Sequence, residues 1–142
     1  MASKPLPRGL RNCNPGNIRR SKVRYRGEVA YGGDPEFRVF ESMALGYRAM
    51  FVLLHTYRLK HRCHTLREMI ARYAPPSENN TEAYIARVAR QSGVNPDAAV
   101  DTLDRATMVA IVCAMSAVEN GVAAKVNEVE CGWHEFIGDF GE

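Results

Sequence analysis

The sequence has 142 residues, of which 46% are apolar and 25% charged, and its net charge is +3. That balance excludes wholesale disorder, and a chain of this length can bury roughly 70% of its unfolded surface without metal or disulfide staples. No run of about 18 apolar residues is present to insert into a membrane, and residues 1–10 lack the apolar stretch of a secretory signal. The expectation is one soluble domain over residues 1–142, synthesised in the cytoplasm.

The chain opens on positive charge. Lys4, Arg8, Arg11, Arg19, Arg20, Lys22, Arg24 and Arg26 all precede the first acidic residue, Glu28. From Val126 to the end there are five acidic residues and no lysine or arginine. Residues 1–12 read as a basic, partly flexible arm. The asymmetry suits an anionic polymer (nucleic acid, a membrane surface or an anionic cell wall) or two oppositely charged faces that attract each other within the fold.

Cys13-Asn14-Pro15-Gly16-Asn17 is dense in turn formers, and residues 18–40 read as strand and hairpin. Val23 and Tyr25 alternate with basic residues, Tyr31 to Pro35 make the turn, and Phe37, Val39 and Phe40 make the return strand. The remainder reads as helix. Ser42 caps a first helix with the stripe Tyr47, Met50, Phe51 and Leu54. Thr65 and Glu68 form a capping box for a second, carrying Leu66, Met69, Ile70 and Tyr73, which Pro75 and Pro76 stop. Asn80 or Thr81 caps a third, with Tyr84, Ile85 and Val88 inward and an end near Gly93. Asp104 caps a fourth that ends at Asn120-Gly121, and a short last helix holds Trp133, Phe136 and Ile137. The fourth has no charge from Ala106 to Val118, so it should be buried all round, with the other helices and the hairpin packed about it. The fold class is mainly α (α+β).

The cysteines, Cys13, Cys63, Cys113 and Cys131, form no CxxC pair, and Cys63 and His64 with His61 and His55 lack the spacing of a ligand set. No metal or other cofactor is expected, and the thiols read as reduced. A carboxylate is more informative. The stripe Met108, Ile111, Val112, Met115 continues at the same spacing to Glu119, where Gly121 turns the chain away. Desolvation and the negative end of the helix should both raise its pKa. A glutamic acid kept protonated near neutral pH is what a general acid of glycoside cleavage requires. The competing expectation is a frayed last turn with Glu119 in water.

Asp34, Glu36 and Glu28 on the hairpin are candidates for a second carboxylate across a cleft. Ser116 and His134 are further neighbours, although no Ser-His-Asp order can be read. Periodicity alone makes Tyr84 a core aromatic. The asparagines in the loop from Pro75 to Asn80 either bond a sugar or cap the next helix.

The string Arg8-Gly9-Leu10-Arg11-Asn12-Cys13-Asn14-Pro15-Gly16-Asn17-Ile18-Arg19 resembles the opening of a phage and prophage family of small lysozyme-like proteins, many described as virion or structural proteins. Further likenesses follow in order: Tyr25-x-Gly27, Asp34-x-x-Phe37-x-x-Phe40, Gly46-Tyr47-Arg48-Ala49-Met50, Tyr73-Ala74-Pro75-Pro76, Glu78-Asn79-Asn80-Thr81-x-x-Tyr84 and Glu119-Asn120-Gly121. Cys13 stands where that family usually has asparagine, and Tyr25 where it tends to have tryptophan. In order and residue type the chain is also similar to glucosaminidase-type peptidoglycan hydrolases. There the helix ending in the catalytic glutamate comes first, so the likeness implies a circular permutation of a lysozyme-like fold.

The resemblance implies cleavage of the β-1,4-linked glycan of peptidoglycan by a lysozyme, a glucosaminidase or a lytic transglycosylase. Glu119 would be the acid and Tyr84 would steady charge building on the sugar. Asn17, Tyr25, Asn80 and Thr81 would bind the glycan. Asp34 or Glu36 would serve as second carboxylate if one faces Glu119, and the substrate's own acetamido group would assist otherwise. Two rival classes are a non-catalytic virion or wall-binding module that keeps the fold, partnered by other virion proteins, and a basic nucleic-acid-binding protein. Few aromatics interleave the basic stretch, which speaks against the last. Without a signal peptide, action on the wall would need delivery by a virion, a holin or a secretion apparatus.

Overall fold

Capping residues fix where most helices begin. The computed structural model describes residues 5–30 and 33–141. A single helical turn, α1 (Arg8–Arg11), comes first. Ser42 accepts from the Leu45 amide at 3.2 Å and opens α2 (Met43–Lys60). Thr65 and Glu68 exchange both bonds of a capping box at α3 (Leu66–Tyr73). Asn80 rather than Thr81 caps α4 (Thr81–Ser92), and Asp104 caps α5 (Arg105–Asn120). The last helix, α6 (Val126–Phe140), is not the short element expected but runs for 15 residues. Val129, Trp133 and Phe136 recur along it at helical spacing and are buried, so packing carries it past Gly132 and Gly138.

The protein is mainly helical, and two helices share its centre. From position 107 to 120 no residue of α5 is exposed, as its uncharged sequence requires. The same holds for α2 over positions 42–58. Arg48 and His55 interrupt its apolar stripe yet are buried, because each has a polar partner: Arg48 donates to Asp139 at 2.9 Å and His55 meets the Thr102 hydroxyl at 2.7 Å. α6 lies along α2, with Phe51 5.1 Å edge-on to Trp133 and 5.9 Å from Phe136. Each such side chain contributes about 1.5–3 kcal/mol by leaving water. α4 lies along α5, and α3 along α4.

The hairpin is the main correction. Among the described residues, 18–40 contain only isolated antiparallel bridges, Arg19 with Phe37 and Glu28 with Phe40; Tyr31 and Gly32 of the expected turn lie outside them. The two bridges differ in register, being nine positions apart on one side and three on the other. The surplus chain wraps around a buried side chain. Arg38, 2% exposed, donates to the Val23 carbonyl (2.6 Å), to the Ser21 hydroxyl (2.5 Å) and to the Glu28 carboxylate, and its guanidinium lies 4.6 Å over the Tyr25 ring. Fully buried Asn14 completes the lobe by donating to the carbonyls of Ile18 (3.0 Å) and Arg38 (2.9 Å) and accepting from the Ile18 amide (3.0 Å). Side chains thus reinforce a small set of backbone bonds across the lobe, from Arg20 to Glu36, Arg38 to Ile18, Val29 to Val39 and Glu41 to Gly27.

Part of the charge asymmetry is spent inside the fold. Arg26 pairs with Glu135 and Asp139 of α6, at 2.7 Å each. Of the arm expected over residues 1–12, residues 1–4 lie outside the described ones, whereas α1 packs on α5 with Gly9 buried.

Candidate active site

Three elements bring their ends to one cleft of about 480 Å³. The lobe supplies Asn17, Tyr25 and Arg38, the α3–α4 connection supplies Pro75, Glu78 and Asn79, and Glu119 comes from the last turn of α5. That last turn does not fray. Gly121 caps it in a left-handed conformation. Buried Asn120 ties it down by donating to the Pro15 and Ser116 carbonyls, each at 2.9 Å. From the other side, Tyr73 donates to the Gly16 carbonyl, an approach so close that a Cβ at position 16 would collide with the tyrosine hydroxyl. Segment 14–17 is therefore clamped against α3 and α5 together.

Both carboxylate oxygens of Glu119 are held. Asn17 Nδ2 donates to Oε1 at 2.9 Å and the Tyr84 hydroxyl donates to Oε2 at 2.8 Å. Burial pushes the Glu119 pKa up, while the two donors pull it partly back. Tyr84 is itself raised, by burial and by the adjacent carboxylate, so it stays a proton donor. It is 7% exposed and does not line the cleft, so it grips Glu119 from behind and lies away from the position expected of a group facing the sugar. Asn17 does line the cleft. Its backbone is left-handed (φ 48°), and its Oδ1 is buried without a partner.

Other candidates fall elsewhere. Asp34 does not line this cleft: it pairs with Arg8, accepts from Asn12 at 3.1 Å and from the Glu36 and Phe37 amides, and this company drives its pKa far down. Glu36 is exposed beside Arg19 and Arg8. Asn80 spends its side-chain oxygen on the Ala83 amide, and buried Thr81 donates to the Ala74 carbonyl at 2.5 Å. Ser116 meets the Tyr47 hydroxyl at 2.9 Å, and His134 is exposed on α6. Tyr25 lines the cleft. The sequence reading missed Glu78 as the second cleft carboxylate; of the two loop asparagines, Asn79 lines the cleft and Asn80 caps α4. The available signal was the Pro75-Pro76 stop, which ends α3 and opens the loop that shares the cleft with Glu119.

The chain is 38% identical over 117 residues to Protein P5 of Pseudoalteromonas phage PM2, an overlap covering 80% of this chain and 71% of the relative. It belongs to the family of that phage protein. No protein-family model matches the chain. The described residues hold no group of three or more His, Cys, Asp or Glu side chains able to bind a metal ion, and no helix long and apolar enough to cross a membrane.

Proposed function

We propose that the protein cleaves the glycan strand of peptidoglycan on a lysozyme-like scaffold, with Glu119 as the general acid. The observation that carries the reading is a glutamate raised in pKa by burial, held through both oxygens, and presented at a cleft by a capped helix end. The proton sits on Oε1, the oxygen beside cleft-lining Asn17, while Tyr84 stays on Oε2. Asn17 can serve either state of the acid: Nδ2 donates to the carboxylate, and a half-turn of the amide offers the unpartnered Oδ1 to the protonated form. Transfer of the proton to the glycosidic oxygen releases one sugar as an alcohol and leaves positive charge on the other. Glu78 is the carboxylate at hand to guide water to that charge. Where it does not act, the acetamido group of the substrate closes on the charged carbon, and hydrolysis or anhydro-sugar formation follows. No cofactor enters these steps.

Membership of a phage protein family supports a phage role, with the wall as the place of action and other virion proteins as partners. The test is glycan release from purified peptidoglycan by the wild type and by Glu119→Gln, with product masses recorded. Loss of about 10²–10⁴-fold in the variant is the expected result, and the masses separate hydrolysed from anhydro ends. Equal release by both proteins removes Glu119 as the acid. Release by neither, with wall binding retained, assigns the fold to a non-catalytic virion or wall-binding module.

A further inference from the structure

A second cleft, about 790 Å³ in volume, adjoins the first, and Ser21, Tyr25, Leu53 and Tyr57 line both. Its chemistry differs. Arg24, Arg26, Arg48, Lys60, His61 and Arg72 line it, with no aspartate or glutamate, whereas the first is of mixed charge, with Glu119 and Glu78 beside Arg19 and Arg38. Two of these cations are engaged, Arg26 with Glu135 and Asp139, and Arg48 with Asp139. Among the described residues Arg24, Lys60 and Arg72 form no ion pair; Arg24 donates to the Glu28 carbonyl at 3.1 Å, and Arg72 lies 5.3 Å over the Tyr57 ring. That ring lines both clefts, so Arg72 stacks beside their shared wall.

A ligand that spans both clefts meets mixed charge in the first and only basic groups in the second. We infer that this basic cleft binds the carboxylate-bearing peptide branch of a peptidoglycan strand whose sugars lie over Glu119. The inference rests on the glycan-cleaving reading and names the half of the substrate that reading leaves out. Guanidinium forks match carboxylates in geometry, and Tyr25, Tyr57 and Phe140 offer apolar walls to the side chains of a short peptide. A continuous polyanion such as a nucleic-acid strand fits less well, because the run of basic groups stops at the first cleft, where Glu78 enters the lining. A neutral sugar joined to an anionic branch places its only charge in the basic cleft.

The test is an NMR titration of the full chain with a disaccharide–tetrapeptide fragment of peptidoglycan. Its controls are the same disaccharide without peptide, the fragment with its carboxylates amidated, and a short single-stranded oligonucleotide. Shifts at Lys60, His61 and Arg72 are expected with the charged fragment and not with the first two controls. The double variant Lys60→Gln, Arg72→Gln should weaken that binding roughly tenfold, with unchanged Trp133 emission as the check on folding. Absence of shifts, unchanged affinity in the variant, or tighter binding of the oligonucleotide overturns the inference. The two readings fail separately. Equal kcat/KM on peptide-bearing and peptide-stripped strands overturns the basic cleft and leaves Glu119 standing. Fragment binding without any strand cleavage removes Glu119 and leaves the cleft.

Discussion

Glu119 stands between a core that disfavours its charge and two donors that favour it. The sign of each effect can be tested separately. Burial raises the pKa above the ordinary 4.5, so a proton is retained to higher pH than on an exposed glutamate. A general acid works in its protonated form, so the rate should fall as pH rises through that raised value. Tyr84 opposes the shift by donating to Oε2. Tyr84→Phe removes a donor that prefers the carboxylate, which raises the pKa further, and the alkaline limb of the kcat/KM profile should move to higher pH. Removing a group that merely fills space would leave the limb in place. A limb that moves to lower pH would contradict the donor role.

At the scale of elements, the seam between α2 and α6 carries the most. A Cβ at Gly132 would lie 2.6 Å from the Tyr47 Cβ and 2.9 Å from the Ala44 carbonyl, so the helices approach through this one bare position. Gly132→Ala should therefore destabilise the fold despite its better helix propensity, by about 1–3 kcal/mol of overpacking, read as a lower denaturant midpoint. Every helix with a side-chain cap was legible, because Ser42, Thr65 with Glu68, Asn80 and Asp104 are local signals. Glu119 was legible for a similar reason, since one periodic stripe and one glycine place it. What escaped was non-local. Arg48 and His55 look like solvent-facing breaks in α2, and only Asp139 and Thr102, far along the chain, make their burial possible. Arg38, between Phe37 and Val39 of the expected return strand, is the post around which residues 20–28 fold. Asp34 and Glu36 were near the right cleft in sequence only; Arg8 and Arg19 hold them outside it.

The whole molecule is a helical body with a loop lobe held to it by side chains, and the candidate site lies where they meet. The base of the lobe is firmly attached: the Asn120 amide reaches Pro15 from α5, and Tyr73 reaches Gly16 from α3. Beyond it, residues 18–40 depend on Asn14 and Arg38, with few backbone bonds of their own. Asn14→Ala would leave the buried Arg38 carbonyl without this donor and the Ile18 amide without its acceptor, at a cost on the order of 1–3 kcal/mol for each group. Since α2, α5 and α6 make none of these bonds, the loss should fall on the lobe alone. Amide exchange should accelerate across residues 18–40 and stay slow in α2 and α5. Trp133, 5% exposed in the α2–α6 seam, should keep its emission. Glycan release should fall nonetheless, because the opened segment takes Tyr25 and Arg38 out of the cleft wall, although Asn17 in the clamped base still reaches Glu119. Uniform acceleration through the helices would instead make lobe and body a single cooperative unit, with substrate entering a cleft that never opens short of unfolding.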